Sequence, residues 1–126
     1  MAAKLGIKPA ATLALIDADP GVIHDLPPDV TIRSRAGGAA DVVVFFVTRA
    51  AKLERRIGAL EKMIFPAGSL WVAWPKRASK VDTDVTDHVV REIALPRGLV
   101  DNKVCAIDDT WTGLRLVWRL ERRAPA

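Results

Sequence analysis

The sequence is poor in the residues that build most recognisable sites. Its 126 residues include one cysteine, Cys105, and two histidines, His24 and His88. A single cysteine closes no internal disulfide, which favours a reducing compartment; a cytoplasmic protein is expected. Cys105 falls in an apparent strand and reads as a small buried apolar residue. The two histidines belong to different expected helices, and no His, Cys or carboxylate spacing matches a zinc site, so no metal is expected. Aromatic residues make up 6% of the chain and the net charge is only +4. The basic residues are scattered, with short clusters at Lys76-Arg77 and Arg122-Arg123. Nucleic-acid binding calls for a denser basic face, and no nucleic-acid partner is expected. No apolar run approaches a membrane span. The stretch Met1–Pro9 has no apolar signal core. No membrane partner is expected either. Gly37-Gly38 is not followed by Gly-Lys-Ser/Thr, so it is no phosphate loop. Ser69 and Ser79 lack a nucleophile-elbow pattern.

Half of the residues are hydrophobic, which suits a folded chain. The length suits one domain over residues 1–126, with a short arm over 1–10 and a charged, fraying tail over 121–126. The clearest signal is Asp41 to Lys76. Val42–Val47 is an unbroken apolar run, as in strands buried on both faces of a parallel sheet. Thr48 is the expected N-cap of the following helix. Leu53, Ile57, Leu60 and Ile64 recur at helical spacing, with Glu54, Arg55, Arg56, Glu61 and Lys62 expected toward water. Pro66 and Gly68 stop the helix. Leu70–Trp74 is the next strand, and Pro75 ends it. A strand–helix–strand unit of this length crosses over right-handed with parallel strands.

Earlier in the chain, Ala11–Ile16 reads as a strand. Asp19 before Pro20 reads as the start of a short helix, Pro20–Leu26. Val30–Arg33 suits an edge strand, parallel or antiparallel, with Arg35–Ala40 as a flexible link. Later, a helix is expected over Asp84–Ala94, with Val85, Val89 and Ile93 as its apolar face and Asp84 and Asp87 at its positive end. Strands are expected over Val100–Ile107 and Leu114–Leu120. The short Asp108-Asp109-Thr110-Trp111 turn between them makes an antiparallel hairpin. Trp71, Trp74 and Trp118 are expected in the core, with Trp71 and Trp74 on opposite faces of their strand.

Residues 41–120 resemble, in their order of elements, the C-terminal half of class I methyltransferases. Asp41–Val47, Leu70–Trp74 and Val100–Leu120 fall into that family's places. The resemblance implies an α/β fold: a three-layer, Rossmann-like, mainly parallel sheet of five or six strands with a C-terminal antiparallel hairpin. The chain departs from the family where the cofactor would sit. Asp17-Ala18-Asp19-Pro20-Gly21 replaces the family's Gly-x-Gly loop, Arg33 and Arg35 stand where its ribose carboxylate stands, and a strand and a helix are missing before Asp41. No cofactor is therefore expected. The strings Lys-Leu-Gly-Ile-Lys-Pro, Leu-Trp-Val-Ala-Trp-Pro-Lys and Lys-Val-Cys-Ala-Ile-Asp-Asp-Thr-Trp-Thr-Gly-Leu-Arg also resemble a family of small uncharacterised bacterial proteins, a domain of unknown function.

Ligands of open α/β sheets sit outside the carboxyl ends of the parallel strands. The polar residues expected there are Asp17, Thr48, Lys76, Ser79, Asp108 and Asp109, with Trp111 as a wall. Lys76, placed rigidly behind a buried strand and Pro75, is the residue expected to meet an anion. The Asp108–Asp109 pair can act as acid and base or hold a cation, although a turn alone favours such residues. No single reaction is written in these residues. The expectation is a non-catalytic module, monomer or homodimer, that binds a small anionic ligand or a protein partner. The alternative is an enzyme that uses Lys76 and the Asp108–Asp109 turn on an anionic small molecule. A third reading is a structural subunit that dimerises through an apolar face.

Overall fold

The structure, a computed structural model, describes residues 1–18 and 21–123. The strands are β1 (Thr12–Ile16), β2 (Thr31–Arg33), β3 (Val42–Phe46), β4 (Ser69–Pro75), β5 (Leu99–Ala106) and β6 (Trp111–Trp118). They form one sheet in the order β2-β1-β3-β4-β6-β5. The four strands β2, β1, β3 and β4 are mutually parallel, and β6 is antiparallel to both β4 and β5. The helices are α1 (Ala2–Leu5), α2 (Ala50–Met63), α3 (Asp87–Ala94) and the single turn α4 (Leu120–Arg123).

Every residue of β3 and β4 is buried, which is why their sequences run apolar without alternation. Side chains of alternate parity feed two cores. On one face Val43, Phe45, Leu70, Val72, Leu114 and Leu116 pack under α2 and α3. On the other, Leu13, Val44, Phe46, Trp71 and Ile107 pack under Leu5, Ile7 and Ile23. Trp71 and Trp74 thus face opposite layers, as their parity requires. The second face is covered without a long helix. It relies on α1 and the arm, tied down where the Trp71 indole Nε1 donates to the Leu5 carbonyl at 2.9 Å. The Met1 ammonium also meets Asp25 at 2.6 Å. That hydrogen bond holds the Asp25 carboxyl below its ordinary pKa.

Strand β2 resolves the open choice of direction. It lies outside β1 and parallel to it, with Ile32 level with Leu13, which is level with Val42. The chain therefore leaves β2 almost where β3 begins. Residues 34–41 need only step sideways across two strand spacings, about 10 Å, and do not travel back along the sheet. Arg33 organises this step. Its guanidinium donates to the Gly37 carbonyl at 2.6 Å and to the Ala39 carbonyl.

Several local expectations differ from the fold. Residues 21–26 form a bend and turn instead of a helix, and their apolar residues Ile23 and Leu26 serve the arm-side core; Asp19 and Pro20 lie outside the described residues. α3 begins at Asp87, with the Thr86 hydroxyl accepting from the Val89 amide at 3.2 Å. Its buried side is Val90 and Ala94, while Val89 and Ile93 are half-buried. Glu61 turns inward, 8% exposed, because Arg97 clasps both its oxygens at 2.7 and 2.8 Å. That paired hydrogen bond raises the Arg97 pKa further. Strand β6 ends at Trp118, so Leu120 is 75% exposed in α4 and does not share its core face. Cys105 is buried in β5.

Candidate functional site

The topology gathers the expected residues at one edge. Asp17 follows β1, Thr48 follows β3, and Lys76 follows β4. Because β5 runs antiparallel to β6, its end also points there, which brings Asp108, Asp109 and Trp111 to the same edge. Most of these groups already have structural partners. Asp17, at φ 58°, pairs with Lys52 of α2 at 2.7 Å. Asp108 Oδ1 accepts from the amides of Thr110 and Trp111, each at 2.8 Å, and so closes the hairpin turn. The Ser79 hydroxyl donates to the Lys76 carbonyl at 2.6 Å. The Trp111 ring meets Phe46 edge-on at 5.1 Å. Lys76 itself is half-buried, and its amide donates to the Thr110 carbonyl at 2.7 Å. Its ammonium takes part in no hydrogen bond or ion pair among the described residues. Asp109 is exposed.

Residues 76–86 fold back over the start of α2. Thr48 is not the N-cap. Arg49 occupies that position without a capping bond from its side chain, and the Thr48 carbonyl accepts from the Thr83 hydroxyl at 2.7 Å. The cap comes from a distant residue instead: Asp84 Oδ1 accepts from the Ala50 amide at 2.7 Å. Arg49 pairs with Asp82 at 2.6 Å, which raises the arginine pKa. A carboxylate thus already occupies the positive end of α2. Asp84→Ala is expected to destabilise the protein by about 0.5–2 kcal/mol, the usual cost of a lost cap. Chemical denaturation measures it, and a change indistinguishable from zero would mean that the loop does not close over α2.

A cavity of about 610 Å³ lies at the opposite edge, where β1, β3 and β4 begin. The arm, the link into β3, the loop after α2 and Arg115 of β6 enclose it. Another cavity, about 550 Å³, is the groove between α2 and α3, beside Glu54, Glu92 and Arg97. Neither lies at the carboxyl edge. Lys8, Asp41 and Arg115 escaped notice in the sequence because they reach the first cavity from separate elements. The one local sign was Arg115, a charge interrupting the apolar run Leu114–Val117. Among the described residues, no three His, Cys, Asp or Glu side chains are placed to hold a metal. No described helix is long and apolar enough to cross a membrane.

No family model and no curated protein matches the sequence. Solved structures do. An S-adenosylmethionine-dependent methyltransferase from Aquifex aeolicus superposes with a TM-score of 0.59 at 11% identity, over 90% of this chain and 85% of that one. The fibrillarin pre-rRNA processing protein of Methanococcus jannaschii gives 0.63 at 14% identity, over 89% and 68%. The magnesium protoporphyrin IX methyltransferase of Synechocystis, solved with bound S-adenosylmethionine, gives 0.58 at 11% identity, over 93% and 74%. At such identities the likeness is one of fold: this chain is a Rossmann-like, methyltransferase-like α/β sheet ending in an antiparallel strand pair.

Proposed function

We propose that this chain is a non-catalytic binding module on a methyltransferase-like sheet, with Lys76 as its anchor for a small anion or an acidic segment of a protein partner. One observation carries the reading. At the carboxyl edge Asp17, Ser79 and Asp108 are engaged in local bonds, while the Lys76 ammonium has no partner among the described residues. Acid–base catalysis needs a positioned group that is able to exchange a proton with substrate. Binding an anion needs only a donor in a fixed place. The exposed Asp109 is what favours the second reading, an enzyme acting on an anionic small molecule beside Lys76.

S-adenosylmethionine is not the expected ligand. The described part of the β1–β2 connection contains no helix whose N-terminus faces the edge, and the Arg33 guanidinium is held by backbone carbonyls of the link.

A thermal-shift screen with phosphate, nucleotides, divalent metals and S-adenosylmethionine tests both statements. A ligand at 100-fold over its Kd stabilises by about 2.7 kcal/mol. An anion from the screen should shift the wild type. Lys76→Ala should keep its own stability within about 0.5 kcal/mol and bind that anion about tenfold more weakly, the loss of one charge-assisted hydrogen bond. Equal binding by both proteins would remove Lys76 from the site. Unfolding of the variant would make it a structural residue. Micromolar S-adenosylmethionine binding in calorimetry would overturn the statement about that cofactor.

A further inference from the structure

We infer that the cavity at the amino edge of the sheet is a second ligand site, one that takes a small organic anion with an apolar body through Arg115, Lys8 and Ser69. Its size is that of a small-molecule site, for which about 300–1,000 Å³ is usual. Three observations give it a chemistry.

The first is Ser69, which opens β4 at the cavity wall. It is 2% exposed and lines the cavity. Its hydroxyl is a donor for a bound anion. The second is Arg115. It sits in β6 opposite Trp71, on the same face as Ser69, and its Nε is buried without a partner. The sole hydrogen bond of its guanidinium among the described residues is a long one, 3.3 Å from Nη1 to Asn102 Oδ1. A planar guanidinium with unused N–H groups is suited to a carboxylate or phosphate. The third is the balance of charge. Lys8 and Arg115 line the cavity against one carboxylate, Asp41, whose Oδ2 already accepts from the Thr12 amide at 2.8 Å.

Beyond the rim, Lys103 stands directly opposite Arg115 across the β5–β6 pair, and its ammonium rests on the Lys4 carbonyl at 3.1 Å. Like charges placed opposite one another oppose pairing. None of the ion pairs among the described residues includes Lys4, Lys8, Lys103 or Arg115. An anion bound at Arg115 would relieve the repulsion. Val42, Met63 and Phe65 add apolar side chains to the lining, which suit a hydrocarbon or aryl body on the ligand.

The test is a titration of the isotope-labelled full chain, followed by amide resonances, with octanoate, phenyl phosphate and inorganic phosphate. Octanoate or phenyl phosphate should move the amides of Thr12, Asp41, Gly68 and Ser69 in a saturable way. Inorganic phosphate should bind at least about fivefold more weakly, because it lacks the apolar body. Arg115→Gln and Lys8→Gln should each weaken the organic anion about tenfold. Lys8 is exposed on the arm, so its variant reads binding even where Arg115→Gln proves unstable. Lys76→Ala should leave the shifts of Thr12, Asp41, Gly68 and Ser69 unchanged, which separates this site from the carboxyl edge. Equal binding of inorganic phosphate, shifts confined to residues 76–80, or unaltered affinity in the Lys8 variant would each overturn the inference.

Discussion

Trp71→Ala is expected to lower the unfolding free energy by about 3–5 kcal/mol, the range for deleting a fully buried aromatic side chain. Trp71 is 0% exposed in β4, a strand paired on both sides. It also ties the arm to the sheet, since its Nε1 donates to the Leu5 carbonyl across 66 residues of sequence. The second face has no long helix to replace that contact. Domains of this size are stable by only about 5–15 kcal/mol, so the loss is a large fraction of the whole. Trp71→Phe separates the two contributions. It keeps most of the apolar volume and leaves the Leu5 carbonyl without its donor, at a cost of about 1–3 kcal/mol. Urea denaturation at 25 °C measures both variants. A loss under about 1 kcal/mol for Trp71→Ala would mean that the arm does not seal this face.

The second large effect is expected at Gly68, between α2 and β4. A Cβ there would lie 2.9 Å from each of the Ala40 and Asp41 carbonyl oxygens and 3.1 Å from Ile64 Cα. All three are backbone atoms, so no side chain can swing aside. The Asp41 carbonyl is also fixed, because it accepts from the Ser69 amide at 3.0 Å, where the β3–β4 pairing begins. Gly68→Ala should therefore cost about 1–3 kcal/mol, as overpacking does, and Gly68→Val more. Thermal and urea unfolding read it directly. A neutral Gly68→Ala would show that the loop after α2 is free to shift away from β3. The same replacement narrows the amino-edge cavity, which Gly68 lines.

What could be read without the structure was what depends on neighbours in sequence. The run Val42–Val47 gave a central strand because a strand buried on both faces has no polar alternation to show. Leu53, Ile57 and Leu60 gave one face of α2 because 3.6-residue periodicity is a property of the segment itself. The opposite facing of Trp71 and Trp74 follows from pleating alone. The convergence of Asp17, Thr48, Lys76 and Asp108 on one edge needed only parallel strands and a hairpin.

The remaining features are set by partners far away along the chain. The cap of α2 comes from Asp84, 34 residues beyond the amide it accepts from, and Thr48 next to the helix is passed over. Glu61 has the sequence position of a solvated residue and is buried because Arg97, 36 residues later, brings a compensating charge. Residues 21–26 give up a helix because Ile23 and Leu26 close a core that no other long element covers. The amino-edge cavity exists because the arm, the link into β3, the end of α2 and Arg115 arrive at the same place. Periodicity and propensity fix elements one at a time, whereas a cap, a buried charge or a cavity is a relation between elements. Such a relation acquires its energy only when the chain has brought both partners together out of water.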